Sequence, residues 1–198
     1  MADYRGIHAA TEAVVELLRS SYRQDDFNNT LEFRVFTSRD FATPITNGVS
    51  LFLYRIFPHG SSRTPAGAIG GDGRRLQSRL PLVLHFLLTV WAQRPSLQHS
   101  IAGWMMRTLE DNALLPTGLL NAAAPGTFGR NETLEIAVAE LATEDLMRVW
   151  EALDTSVYQL SIPYLARVLS IDSQEPVYAT GEGDVRERRQ RVGVLEGV

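Results

Sequence analysis

A chain of 198 residues, 44% hydrophobic and 21% charged, is long enough to bury one domain and has an ordinary globular make-up. Its 23 acidic and 19 basic residues give a net charge of −4, which excludes the broad positive footprint of a duplex-binding protein. It has no cysteine, which excludes disulfides, thiolate metal sites and a cysteine nucleophile.

Ile7, Val14, Val15, Leu18 and Tyr22 fall on one helical stripe and predict an amphipathic helix over residues 6–22. The same stretch lacks the basic start and unbroken apolar core of a signal peptide, so synthesis and folding are expected in the cytoplasm. Asp25 to Thr30 is polar and turn-like. From Leu31 to Phe36 the residues alternate, with Leu31, Phe33 and Val35 inward and Glu32 and Arg34 outward, as in a half-buried strand. Thr43-Pro44 and Asn47-Gly48 punctuate the next loop. Residues 49–57, VSLFLYRIF, form a second strand that is apolar on both faces and stops at Pro58. Residues 58–78 hold five glycines together with Arg63, Arg74 and Arg75, and read as a long flexible loop.

The densest apolar run is Leu80 to Trp91. Both of its alternating faces are apolar, so it is expected in the middle of the sheet. No run reaches the roughly 18 residues of a membrane helix. Pro95 ends the connection, and Ser96 is placed to cap a helix whose stripe is Leu97, Ile101, Trp104, Met105 and Leu109. This strand and helix are the pair around which the remainder can pack. Residues 111–131 read as a loop. Thr133 to Val138 alternates as a strand, and Thr143 can cap a short helix with Leu146, Val149, Trp150 and Leu153 on its apolar side. In the last strand, residues 157–171, Leu160, Ile162, Tyr164 and Val168 are expected to share a face. Pro163 cannot donate to a ladder, which predicts a sheet edge or a bulge at that point.

The order α-β-β-β-α-β-α-β predicts an α+β fold: a mixed, largely antiparallel sheet packed with about three helices. Residues 1–172 would form this domain. Residues 173–198 would be an extended tail, in which Arg186, Arg188, Arg189 and Arg191 sit among five acids.

Catalytic and metal patterns are not found. The four histidines make no HxH or HExxH pair, GxSxG is missing, and Gly70 to Arg75 lacks the GKS/T of a phosphate loop. His85 reads as a hydrogen-bonded core histidine, and Trp91, Trp104 and Trp150 as core. No enzyme activity, cofactor or metal is expected.

Five stretches in order carry a resemblance: VSLFLYRIF at 49–57, LPLVLHFLLTVWA at 80–92, HSIAGWMMRTLED at 99–111, EDLMRVWEAL at 144–153 and YQLSIPYLARVLSID at 158–172. Together they resemble the Pvc-type N-terminal domain family of tail terminator, or cap, proteins from phage-tail-like contractile injection systems. The resemblance spans about residues 7–172. It implies a homohexameric ring that ends the inner tube and the sheath and stops their polymerisation. Its implied partners are further copies of the chain, the sheath protein and the inner tube protein, with neither nucleic acid nor membrane. The implied location is the cytoplasm during assembly, in a particle that can be released. One departure is that Arg63 precedes Thr64, where family members often have asparagine. The residues also leave open a small-molecule-binding or hydrolytic domain built on the Trp-rich core, which a convergent polar pocket containing His85 would support, or a nucleic-acid adaptor using the arginine-rich tail. Partner contacts are expected at Pro163, Tyr178 and the four tail arginines.

Overall fold

A computed structural model describes residues 2–60, 63–72, 74–153 and 158–174. Its strands are β1 (Glu32–Phe36), β2 (Gly48–Pro58), β3 (Arg79–Trp91), β4 (Leu114–Pro116), β5 (Thr133–Val138) and β6 (Ser161–Asp172). They form one six-stranded sheet in the order β1-β2-β3-β6-β5-β4. Among the described strands β1 and β2 run parallel and the other ladders are antiparallel. The helices are α1 (Gly6–Ser21), α2 (Gln24–Phe27), α3 (Pro95–Asp111), α4 (Thr117–Ala123) and α5 (Thr143–Glu151). The fold is the expected α+β arrangement, enlarged by α2, β4 and α4.

β3 lies inside the sheet, with β2 and β6 as its two neighbours. Leu84, Phe86, Leu88 and Val90 point to one face, where α1, α3 and α4 cover them. Ala9, Ala13, Val14 and Leu18 of α1, Ile101, Met105 and Leu109 of α3, and Leu120 of α4 close this helical face. Each fully buried Leu or Phe there contributes about 1.5–3 kcal/mol of transfer free energy.

The opposite face has a smaller core of Phe36, Phe41, Ile45, Trp91, Trp150 and Leu153, flanked by Phe52 and Leu146. A 3-10 turn, Ser38–Ala42, delivers Phe41 to it. The turn is fixed by Asp40, whose carboxylate accepts the Thr37 N–H at 2.6 Å and the Thr37 hydroxyl at 2.7 Å. Two pairs of buried polar groups on this face are satisfied by each other: Trp91 donates Nε1–H to Ser50 Oγ at 2.8 Å, and the Thr89 and Ser161 hydroxyls are 2.8 Å apart.

Several local expectations are corrected. α3 begins at Pro95 with Arg94 as its N-cap, so Ser96 is already inside the helix. Proline is suited to that first position because its missing N–H has no intrahelical partner to lose. Thr143 likewise begins α5 and is not its cap. Residues 111–131 are more than a loop, since they hold β4 and α4. The long connection between β2 and β3 folds back on itself. Thr64 and Arg79 exchange backbone hydrogen bonds at 3.2 and 2.9 Å, and Gly70 and Leu76 donate theirs to Arg74 O and Ala68 O at 2.8 Å.

Pro163 is not on an edge strand, because β6 lies between β3 and β5. Its ring nitrogen faces the β5 side, one position beyond the end of that strand, while its carbonyl accepts the Ala139 N–H at 2.9 Å. The missing donor therefore costs no ladder bond inside the sheet. The irregularity in β6 lies further on. Leu82 faces Leu169 and Leu84 faces Ala166, so one β3 residue opposes both Arg167 and Val168. The extra residue shifts the alternation. Leu169 thereby enters the core, and Val168 is left 40% exposed.

Candidate assembly surfaces

The second face is closed at one end only. Moving along β3 from Trp91 toward Arg79, the side chains on this face are Thr89, Leu87, His85 and Val83. The aromatic cluster and α5 occupy the Trp91 end. At the other end the described helices leave the sheet exposed, and Phe57, the cross-strand partner of Val83, is 51% exposed.

His85 is half-buried on this open half. Its ring meets Tyr54 edge-on at 6.2 Å, a contact that replaces the hydrogen bond expected of a core histidine. Burial, and then the nearby positive charge of Arg55, lower its pKa below the ordinary 6.5. The Arg55 guanidinium lies 4.9 Å from the centre of the Phe57 ring, in cation–π range. On the helical side Tyr164 stacks on Phe86 at 6.3 Å, and its hydroxyl pKa is pushed up to about 12, first by burial and then by Glu110.

The second half of β2, with the connection that follows it, forms an open edge of the sheet, the arm, whereas β3 beside it is paired by β6 from Arg79 to Thr89. β1 pairs with Gly48 to Phe52 only, so the remainder of β2 has β3 on one side and no described strand on the other. Ile56, Phe57, Ile69, Leu76 and Leu80 are exposed along this arm and its connection. The expectation of a strand covered on both faces holds for the first half of β2 and fails for the second. Arg55 and Pro58 in the sequence were the signals that β2 leaves the core.

Among the described residues no group of three or more His, Asp or Glu could hold a metal ion. An open cleft of about 310 Å³ lies beside β5 and β6 and is lined by residues that include Glu132, Thr133, Val168 and Ser170. Its Glu132 carboxylate accepts the Gly129 N–H at 2.6 Å. His85 is not part of it. No described helix is long and apolar enough to cross a membrane. Of the expected contact residues only Pro163 is described, and it lies away from the arm. Tyr178, Arg186, Arg188, Arg189 and Arg191 lie outside the described residues.

These features define a mixed-sheet α+β domain with one helix-covered face and an open, apolar edge along the second half of β2. The chain belongs to the Pvc16 N-terminal domain family, whose model matches residues 9–181. Two solved structures share the fold, each with a TM-score of 0.57 and 19% identity. One is the sheath/tube terminator of the extracellular contractile injection system PVC in its extended state, where the match covers 97% of this chain and 72% of that one. The other is the anti-feeding prophage cap, the AFP tube terminating cap, where it covers 86% of this chain and 56% of that one. No curated protein matches the chain.

Proposed function

We propose that the chain is a structural terminator of a contractile injection particle. It forms a ring, a homohexamer, that sits on the last layer of inner tube and sheath and stops both from growing. The observation that carries this reading is the family match over residues 9–181, joined to a fold shared with two terminators. The chain acts by shape and surface and performs no reaction. It is made and assembled in the cytoplasm and leaves with the particle. Its partners are its own copies, the sheath protein and the tube protein, with no part for nucleic acid or membrane.

Residues 173–198 serve as the docking arm toward a neighbouring subunit or the sheath. Tyr178 is an apolar anchor, and Arg186, Arg188, Arg189 and Arg191 make two-point contacts with carboxylates. Deleting the gene should yield tubes and sheaths of uncontrolled length by electron microscopy, and supplying the chain in trans should restore one length. A chain ending at Ser173 should fold and fail to restore it. Particles of normal length without any copy of the protein would overturn the reading.

A further inference from the structure

The β2–β3 arm and the β4–β5 edge lie toward opposite sides of the sheet and match in two independent respects. The first is exposed apolar surface. His59 donates its N–H to Pro81 O at 2.8 Å. By alternation, Arg55 and Phe57 direct their backbone groups to β3, while Ile56 and Pro58 direct theirs to the open side. Pro58 has no N–H to leave unpaired there. Ile56 is 43% exposed, next to Phe57. On the far side of the sheet Leu114 is 63% and Val138 47% exposed.

The second respect is charge. Residues 53–80 carry Arg55, Arg63, Arg74, Arg75 and Arg79 against Asp72, and with Asp172 3.7 Å from Arg79 the net is +3. Residues 110–140 carry Glu110, Asp111, Glu132, Glu135 and Glu140 against Arg130, and with Arg107 paired to Asp111 and Arg167 opposite Glu135 the net is −2. Glu135 faces Leu114 across the β4–β5 ladder, and Glu140 follows Val138 by two residues. Exposed apolar residues rimmed by charge are the usual make-up of a protein contact, and opposite rims orient the encounter.

We infer that the β2–β3 arm of one copy docks edge to edge on the β4–β5 edge of a second copy, with Ile56 against Val138 on the helical side and Phe57 against Leu114 on the other. Arg55 and Arg74 then face Glu135 and Glu140. Pairing arm with arm would instead oppose two surfaces of net +3. Because the two patches differ, each bound copy keeps one free arm or one free edge, and addition continues until the chain of subunits closes on itself. This deepens the terminator reading by naming the surfaces that join its ring, and it is testable without tube or sheath.

The absence of native cysteine makes the test direct. Ile56→Cys and Val138→Cys proteins, each treated alone with a short bismaleimide, should stay uncrosslinked. Mixed, they should give a covalent dimer, and the double variant should give a ladder. In sedimentation velocity, Arg55→Glu with Arg74→Glu, and separately Glu135→Arg with Glu140→Arg, should each weaken self-association at least tenfold. Mixing the two reversed proteins should restore it. A wild type that is monomeric at every concentration, an Ile56→Cys protein that crosslinks to itself, or association untouched by either reversal would overturn the inference. Rings that persist in both reversed proteins overturn the docking and leave the terminator reading standing. Normal particles without the gene do the opposite.

Discussion

The two faces of the sheet are built from similar side chains and closed to different extents. On the helical face, Leu84, Phe86 and Leu88 are covered by three helices, and α1 supplies alanines that let its neighbours come close. On the other face the aromatic cluster covers the Trp91 end, and Phe57 is left in the open beyond it. The contrast teaches that apolar alternation reports what a strand can bury. Whether it is buried depends on how far the covering elements reach.

Breaking the closed face should cost most. Leu84→Asp or Phe86→Asp places an unpaired charge among helices and should cost about 5 kcal/mol, comparable with the whole stability of a domain. Circular dichroism in urea should show no cooperative transition, and a soluble variant that keeps one would mean that β3 is not the centre. Trp150→Ala attacks the smaller core. Its ring contacts Phe41 at 5.5 Å and Tyr158 at 5.4 Å, and its loss should cost about 3 kcal/mol. Unchanged denaturation would show that α5 is not part of the cooperative unit.

Gly48→Ala tests the junction of the two regions. Gly48 has φ +145°, and a Cβ there would overlap the Glu32 backbone, so about 2 kcal/mol should be lost. Hydrogen exchange should accelerate in β1 before β3, and uniform protection would refute the local reading.

A smaller effect is expected from His85. Its pKa is depressed in the folded protein, so between that value and the ordinary 6.5 the unfolded chain binds more protons. This contribution to stability is present above pH 6.5 and is lost as pH falls toward the folded value. His85→Gln should flatten that part of the pH profile of urea midpoints, and identical profiles would refute it. Least of all, Phe57→Ser on the open arm should alter stability by no more than about 0.5 kcal/mol. A larger loss by the same titration would mean that the arm is part of the core.

The β3–α3 pair, the sheet class and the element order were legible because long apolar runs fix burial strongly. Leu97, Ile101, Met105 and Leu109 repeat at helical spacing, and all are buried. β4 and α4 were hidden because three and seven residues are too few to show a period. Pro163 misled because proline forbids a donor without forbidding an interior strand whose neighbour has ended. Val168 misled because strict alternation cannot anticipate an extra residue. The exposed surfaces were the least legible, since Ile56 and Phe57 look like core until their missing neighbours are known.

The length of the arm strands has a mechanical consequence. β2, β3 and β6 have 11, 13 and 12 residues, about twice the common strand length. Their cross-strand bonds lie perpendicular to the chain. Tension applied along the arm is therefore shared by two long ladders at once and loads their bonds in shear. Tension applied sideways at β4 meets only three paired residues and opens them one after another. The domain is stiff along β3 and yields first at β4.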